Sequence, residues 1–282
     1  MDLALEWDRH PGTGLRLACE LAGMAGEPEL EDIAPADGDS ELVGIVAARR
    51  GGELAGWAEI RHDRAGRARA EVVYAARYVR RIRLGHHDFE AATGEEEAVV
   101  RTLIAGAAQQ SRVAGLCQLS WEGPDVGPEG LAAVALGARM TGEYARLWTA
   151  EPRSWTVPPA LHSACPLDCV LQALAESADP LGQVMVVALP STDTLNPVAT
   201  LATTIVGSEA YVDVRQGLSY RIGDIRMLAS LIGALIGELH DELPHVLVLR
   251  VFEPDDTLAR SALTLAGLDI AARFHRYVLP LG

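Results

Sequence analysis

An internal repeat is the feature that most constrains how this chain of 282 residues can fold. A shift of 130 positions superimposes three residues near the end of each half: Gly137 on Gly267, Tyr144 on Phe274 and Arg146 on Arg276. Upstream, residues 101–105 resemble residues 226–230 at a shift of 125. Several matches in the same order indicate a duplicated unit. We therefore predict two tandem domains, residues 1–150 and residues 151–282.

Both halves predict the same order of secondary structure from their hydrophobic periodicity and turn residues. In the first half, a helix (11–25) precedes three strands (42–48, 54–61, 70–76), a central helix (95–110), a strand (116–121), a helix (128–136) and a last strand (143–148). The second half gives a helix (167–177), strands (183–188, 199–205, 210–215), a long helix (223–239), a strand (245–252), a helix (256–265) and a strand (272–279). The Pro-rich residues 151–159 are predicted to link the halves. The fold class is thus α/β, of the α+β type with a mixed sheet in each domain.

The charge and composition exclude several classes of protein. The chain has 39 Asp and Glu against 24 Lys and Arg, a net charge of −15, so general nucleic-acid binding is not expected. No apolar run reaches the length of a membrane span, and residues 1–6 lack the basic start of a signal peptide, so we expect a cytoplasmic protein without membrane contacts. Every one of the 24 cations is arginine, which excludes a lysine Schiff base or nucleophile.

The order of elements in each half resembles the GNAT acyltransferase fold, and the duplication resembles tandem GNAT proteins. The resemblance implies a cleft where the fourth and fifth strands diverge, and a Q/R-x-x-G-x-G/A loop before the central helix. Glycines in such a loop let backbone N–H groups approach the pyrophosphate of coenzyme A, and the helix N-terminus adds partial positive charge. In the second half the resemblance assigns acetyl-CoA or another acyl-CoA to Val214, Tyr220, Arg221, Ile222, Gly223 and Asp224.

Both loops depart from the family pattern. In the second half Gly223 keeps the middle glycine, whereas Ile225 replaces the last small residue. In the first half Glu95, Glu96 and Glu97 stand where a pyrophosphate would dock. Carboxylates suit a bare helix N-terminus, so this helix is predicted to be capped by its own residues and closed to anions.

Four residues are candidates for catalysis. The resemblance implies a carboxylate general base on the strand before the loop, a position held by Glu71 in the first half and by Asp213 in the second. Glu59 on the neighbouring strand is a third carboxylate, and His87 lies in a loop that could supply a base. The alternative for each is a solvated strand face or loop. The tyrosine that many family members carry on the helix after the fifth strand is missing from both halves.

Two further clusters contain residue types that bind ligands. The basic run at 77–83 could hold a phosphate, a carboxylate or an acyl-carrier protein, or could pair with the acidic residues 95–97. His162, Cys165 and Cys169 are metal-ligand types, but no second pair completes a tetrahedral site. We predict structural cysteines there and no metal.

Two functions are compatible with these patterns. The first is an acyltransferase that uses acyl-CoA, or a carrier-protein thioester, and a small amine such as a metabolite of specialised metabolism. The second is a GNAT-fold protein that has lost coenzyme A binding and acts as a ligand-binding or scaffold protein, or as an enzyme of different chemistry. Whether residues 220–225 accommodate a pyrophosphate distinguishes the two.

Overall fold

The computed structural model describes residues 3–10, 12–25, 40–75, 93–162, 171–175, 183–189, 199–214 and 224–282. The chain divides into two compact units. Unit 1 comprises Met1–Glu143 together with Phe274–Gly282, and unit 2 comprises Tyr144–Arg273. Among the described residues, no helix is long and apolar enough to cross a membrane.

Unit 1 is built on a mixed sheet. Its strands are β1 (Ala4–Asp8), β2 (Glu41–Arg50), β3 (Glu53–His62), β4 (Arg67–Tyr74), β5 (Gln118–Pro124) and most of β12 (Asp269–Pro280). They pair in this order, antiparallel throughout except for the parallel pair β4–β5. The helices of the unit are α1 (Thr13–Ala25), α2 (Gly94–Val113) and α3 (Pro128–Leu136).

Unit 2 repeats this plan. Its strands are β7 (Leu171–Ala175), β8 (Gln183–Leu189), β9 (Ala199–Val206), β10 (Glu209–Asp213), β11 (Val248–Glu253) and most of β6 (Arg139–Ala150). They pair in this order, and β10–β11 is the parallel pair. The helices are α4 (Pro159–His162), α5 (Ile225–Glu242) and α6 (Thr257–Leu265). The predicted fold class, α/β with a mixed sheet in each of two units, is confirmed.

The two units exchange their last strands. β12 comes from the second half of the sequence and pairs with β5, where Tyr277 lies opposite Trp121. β6 comes from the first half and pairs with β11, where Trp148 lies opposite Val251. The compact units therefore differ from the predicted halves 1–150 and 151–282, which describe the repeat in the sequence. The predicted linker at 151–159 belongs to unit 2, where the Trp155 indole N–H donates to the Ala266 carbonyl at 2.9 Å.

Two predicted elements differ from the structure. Residues 171–175, predicted within a helix, form strand β7, because antiparallel pairing with β8 outweighs the helical preference of this Leu- and Ala-rich segment. The sequence interpretation also missed β1, whose five residues pair with Ile45–Arg49 of β2. Such short segments give too little periodicity to be recognised.

Each face of the unit 1 sheet has its own core. Val46 and Ala58 pack with α2 and α3, whereas the alternate residues Ile45 and Trp57 pack with α1. In unit 2, α5 and α6 bury one large cluster against the sheet. In each unit the fourth strand (β4 or β10) is followed by the central helix (α2 or α5). The next strand (β5 or β11) then runs parallel to the fourth strand. This crossover places the helix start beyond the carboxyl end of the strand, where open mixed sheets bind ligands.

Candidate functional site

The start of α2 in unit 1 is closed by its own residues, as predicted. Thr93 is the N-cap residue, and its hydroxyl accepts a hydrogen bond from the Glu96 N–H at 3.2 Å. Glu96 in turn accepts one from the Thr93 N–H at 3.1 Å, which completes a capping box. Glu95 forms an ion pair with Arg50 of β2. The cap takes up the Glu96 N–H, and the glutamates at 95–97 place negative charge where a phosphate would approach the helix start.

A cavity of about 360 Å³ lies in front of this helix start. Its wall includes three carboxylates, from Glu53, Glu95 and Glu96, against one cation, Arg50. Tyr74, at the end of β4, contributes an aromatic side. A cavity with this balance of charge disfavours a pyrophosphate, because like charges in a partly desolvated space repel strongly.

Strands β4 and β5 separate early in unit 1. Their ladder contains three residue pairs and ends at Arg69 opposite Ser120, although both strands continue to Tyr74 and Pro124. We call the unpaired region between residues 70–74 and residues 121–124 the β4–β5 gap. In unit 2 the corresponding ladder has five pairs and continues to Asp213 opposite Phe252. The described residues thus contain the strand divergence that the family resemblance implies in unit 1.

Glu59 and Glu71 lie beside the β4–β5 gap. They are directly opposite each other in the antiparallel pair β3–β4. Glu59 is partly buried and accepts a hydrogen bond from Arg61 Nε at 2.6 Å. Glu71 is exposed and makes no hydrogen bond or ion pair with any residue in the described part of the chain. Two carboxylates facing each other across strands destabilise a sheet, so this pair has an electrostatic preference for a cation.

A network of charges borders this pair on the same sheet. Glu122 of β5 accepts from Arg69 of β4 at 3.1 Å and from Arg276 of β12 at 2.6 Å. Both arginines are more than half exposed, so these ion pairs contribute little to stability. Arg69 and Arg276 thus pair with Glu122 and not with Glu71, whose carboxylate can bind a cationic ligand.

The unit 2 candidates occupy the equivalent positions. Asp213 is the last residue of β10, and Val214, which follows it, is buried. Asp224 is the N-cap residue of α5 and accepts from the Arg226 N–H at 2.8 Å. The first turn of α5 contains no acidic residue, in contrast to the three glutamates of α2. This helix start is therefore the more favourable one for an anion.

The predicted residues fall into two groups, one in each unit. The structure brings Glu59 and Glu71 together in unit 1, and places Asp213, Val214 and Asp224 on either side of residues 215–223 in unit 2. Five predicted site residues lie outside the described residues: the candidate base His87 and the predicted pyrophosphate-binding residues Tyr220, Arg221, Ile222 and Gly223. His162 is the last residue of α4, and Cys165 and Cys169 also lie outside the described part of the chain.

Sequence reasoning missed a buried polar group in unit 1. Glu129 in the first turn of α3 is only 3% exposed, and its side chain covers Gly123, where any side chain would collide with it. The hydroxyl of Tyr277 is buried nearby and has no hydrogen-bond partner among the residues that the structure describes. Burial, followed by the negative charges of Asp125 and Glu129, raises the pKa of Tyr277 to about 12. The alternation of apolar residues in β12 was the available signal that Tyr277 points inward.

Unit 2 buries a carboxylate in the corresponding place with a different set of partners. Glu253, at the end of β11, is fully buried and accepts hydrogen bonds from Arg260 Nε at 3.2 Å and from the Asp256 N–H at 2.6 Å. At a shift of 130, Gly123 takes the position of Glu253 and Gly130 that of Arg260. The two units thus differ in their buried polar residues where β5 meets α3 in unit 1 and where β11 meets α6 in unit 2.

No family model matches the chain, and neither does any curated protein. Among solved structures, the chain is similar to a tandem GNAT protein from the clavulanic acid biosynthesis pathway, with 14% identity, coverage of 100% of this chain and 99% of that one, and a TM-score of 0.49. A GNAT-family acetyltransferase from Colwellia psychrerythraea gives 10% identity, coverage of 99% and 100%, and a TM-score of 0.49. A GCN5-related N-acetyltransferase from Sphaerobacter thermophilus gives 13%, coverage of 98% and 96%, and a TM-score of 0.42. In each half of the chain the order of the strands and helices agrees with the order expected from the sequence, apart from β1, β7 and the short helix α4.

Proposed function

We propose that this protein transfers an acyl group from a thioester to a small amine. The observation that carries the proposal is the β4–β5 gap with the unpartnered carboxylate of Glu71 at its side. A gap between two parallel strands offers backbone N–H and C=O groups to an extended thioester arm. The facing carboxylates of Glu59 and Glu71 favour a protonated amine beside it.

The chemistry follows from these positions. Glu71 accepts a proton from the ammonium group, which leaves a neutral amine next to the thioester. The amine nitrogen attacks the carbonyl carbon, the C–N bond forms, and the C–S bond breaks. The thiolate leaves with the electron pair of that bond and takes up the proton that the acylated nitrogen loses, so that the products are an amide and a thiol. Glu59, held by Arg61, keeps the amine oriented and is a positioning residue in this scheme.

Unit 2 offers a second placement of the same reaction. There we propose that acetyl-CoA or another acyl-CoA binds at the start of α5, with Val214, Tyr220, Arg221, Ile222, Gly223 and Asp224 around its pyrophosphate. Asp213 would serve as the base. The first turn of α5, free of acidic residues, supports this placement. Coenzyme A supplies the activated acyl group when it is bound.

Calorimetric titration with acetyl-CoA, supported by a series of longer acyl-CoA esters, tests the donor. We expect binding with a stoichiometry near one that is lost in Gly223→Glu and kept in Gly142→Glu, whose position is exposed and open. Acyl transfer to a panel of small amines is then measured in Glu71→Gln and Asp213→Asn. A loss in Glu71→Gln alone places the reaction in unit 1, and a loss in Asp213→Asn alone places it in unit 2. Unchanged transfer in both variants would overturn the assignment of the base.

A second function is favoured by one observation. Among the described residues, unit 1 combines its strand gap with a closed helix start, and unit 2 combines its more open helix start with a continuous β10–β11 ladder. A protein of this kind that no longer binds coenzyme A would be a ligand-binding or scaffold protein. In that case no acyl-CoA ester binds, and a thermal-shift screen of small amines gives a response that Glu71→Gln removes.

A further inference from the structure

We propose that the cavity in front of α2 binds a small amino acid with an apolar side chain. The inference goes beyond the proposed transfer reaction and does not depend on it. Within the described residues, the cavity wall combines three features: a guanidinium edge without a hydrogen-bond partner, an unpaired carboxylate beside it, and an apolar side. They are complementary to the carboxylate, the ammonium group and the side chain of such a ligand.

The turn between β2 and β3 places a cation beside a carboxylate. Arg50 and Glu53 flank Gly51 and Gly52, whose φ angles of 59° and 92° fit a two-residue hairpin turn. Arg50 and Glu53 are directly opposite each other in the register of the two strands, so their side chains leave the sheet on the same face. Both residues line the cavity. The hairpin therefore holds a guanidinium and a carboxylate next to each other in the cavity wall.

A β-bulge in β3 determines the face on which this pair lies. The register passes from Gly56 directly to Leu54, so that Ala55 is an extra residue in β3. Gly56 lies against Leu103 of α2, and strict alternation would turn Glu53, three positions earlier, away from that helix. The extra residue brings Glu53 to the α2 side, where it lines the cavity. Bulges that redirect a side chain in this way are common beside functional sites.

Arg50 indicates the anionic group of the ligand. Its Nη1 atom pairs with Glu95, whereas Nε and Nη2 are buried and have no hydrogen-bond partner among the described residues. These two N–H groups lie side by side on one edge of the guanidinium and match the two oxygens of a carboxylate. The side chain as a whole is 35% exposed, so a rotation about its terminal bonds presents this edge to a molecule in the cavity. A ligand carboxylate thus satisfies two donors that are otherwise buried at a cost in free energy.

The carboxylates of the wall indicate that the ligand also carries a cation. Glu53 is exposed, and its side chain forms no ion pair or hydrogen bond in the described part of the chain. Glu95 and Glu96 add two further carboxylates to the wall, against the single guanidinium of Arg50. A ligand with only a carboxylate would increase this excess of negative charge, whereas an ammonium group next to the ligand carboxylate offsets it. The charges of the wall therefore favour a zwitterion.

The rest of the wall is apolar and the cavity is small. Leu54, Tyr74 and Val99 are buried residues that line it. Its volume of about 360 Å³ is near the lower end of the range of about 300–1,000 Å³ that is usual for ligand pockets. An apolar side chain of the ligand can pack against these three residues, whereas an acidic one would approach the glutamates.

The cavity and the proposed base lie on opposite faces of the unit 1 sheet. Tyr74 packs in the core on the α2 side, and Glu71, three positions earlier on β4, faces the other way. Glu59, which is opposite Glu71, lies close to Gly14 of α1. An amino acid in the cavity therefore does not contact Glu71, and the two sites can be tested separately.

Calorimetric titration of the full chain with each of the standard α-amino acids tests the inference. We expect an apolar amino acid to bind about tenfold or more tightly than acetate, ethylamine, its own methyl ester or its own N-acetyl derivative, since each of these lacks one of the two charges. Arg50→Lys keeps a cation opposite Glu95 but loses the two-donor edge, and Glu53→Gln removes the unpaired carboxylate. Each should weaken binding about tenfold.

Arg67→Lys is the matched control, because it makes the same change in an exposed ion pair with Asp63, and it should bind within about twofold of the parent. Thermal unfolding verifies that every variant is folded. No binding of any standard amino acid to the parent, or unchanged binding in both Arg50→Lys and Glu53→Gln, would overturn the inference. Equally tight binding of the N-acetyl derivative would overturn the assignment of the ammonium group.

Glu71→Gln separates this inference from the proposed function. Binding of the amino acid should be unchanged in this variant. If Glu71→Gln loses binding while Arg50→Lys and Glu53→Gln keep it, the amino acid occupies the β4–β5 gap; the cavity inference then fails, and the proposed acceptor site is supported. If the cavity variants lose binding and no thioester supports acyl transfer, the cavity inference stands and the transferase proposal fails.

Discussion

Glu59 of β3 and Glu71 of β4 face each other directly across an antiparallel pair, and within the described ranges only Glu59 has a cationic partner. A sheet gains nothing from two carboxylates at one cross-strand position, and replacing one of them should improve its stability. A loss of activity that accompanies a gain in stability is characteristic of a functional site.

Glu71→Gln should therefore separate stability from activity. We expect the free energy of unfolding to rise by roughly 0.2–1 kcal/mol, because the like-charge pair is removed. The rate of acyl transfer should fall by about 10²- to 10⁴-fold with the loss of the base. Chemical denaturation and a steady-state assay measure the two effects. Glu122→Gln is the control on the same sheet, and it should give no gain in stability, because Glu122 is paired with Arg69 and Arg276.

Thr93→Ala should destabilise the start of α2. The substitution removes the hydroxyl that caps the Glu96 N–H and should cost about 1 kcal/mol of unfolding free energy. Thr102→Ala lies in the same helix, where the hydroxyl donates to the Ala98 carbonyl, and should change stability much less. Thermal unfolding of both variants checks the difference. Equal losses would mean that the capping box does not stabilise the helix start.

Arg260→Ala should be strongly destabilising. Glu253 is fully buried, and Arg260 is its only ion-pair partner among the described residues. Loss of the cation leaves a buried carboxylate uncompensated, with an expected cost of about 3–5 kcal/mol. Arg101→Ala removes an exposed ion pair with Glu97 and should cost less than about 0.5 kcal/mol. Urea denaturation of the two variants gives the comparison, and a small loss for Arg260→Ala would contradict the assigned burial.

Tyr277→Phe should stabilise unit 1, and the gain should increase at high pH. At neutral pH we expect a gain of about 1 kcal/mol, because the buried hydroxyl has no partner. The pKa of Tyr277 is about 12 in the folded protein and 10.0 in the reference state, so the unfolded chain releases its proton first. The stability that the neutral phenol contributes is complete below pH 10 and is lost as the pH rises toward 12.

Denaturation of both proteins between pH 7 and pH 11.5 measures this dependence. The difference in unfolding free energy between Tyr277→Phe and the parent should be constant below pH 10 and should widen above it. A variant that is less stable than the parent at pH 7 would show that the hydroxyl is hydrogen-bonded.

Much of the fold can be predicted from the sequence because each half carries strong periodic signals. The long helices α2 and α5 and the strands around Gly51–Gly52 follow from local patterns. The exchange of β6 and β12 cannot be predicted in this way. The two last strands are similar in sequence, and each presents apolar residues to an equivalent neighbour, so that local patterns do not specify which unit each completes.

The candidate site shows the same limit. Family resemblance located Glu71 and Asp213 on the correct strands, and the acidic run at residues 95–97 indicated the closed start of α2. The facing of Glu59 and Glu71 depends on the register of β3 and β4, which the turn at 63–66 determines. The burial of Glu129 depends on Gly123, which lies six positions earlier in the sequence and on strand β5, so no single-position pattern reveals it.

The strand exchange also determines when each unit can be completed during protein synthesis. Unit 2 is encoded by one continuous stretch, Tyr144–Arg273, and the ribosome makes all of it before the part of β12 that pairs with β5. Unit 1 begins first but has to wait, with one side of β5 uncovered, until the whole of unit 2 has been translated. The N-terminal unit is thus the last to be completed, and we expect a nascent-chain chaperone to encounter the exposed edge of β5 throughout that interval.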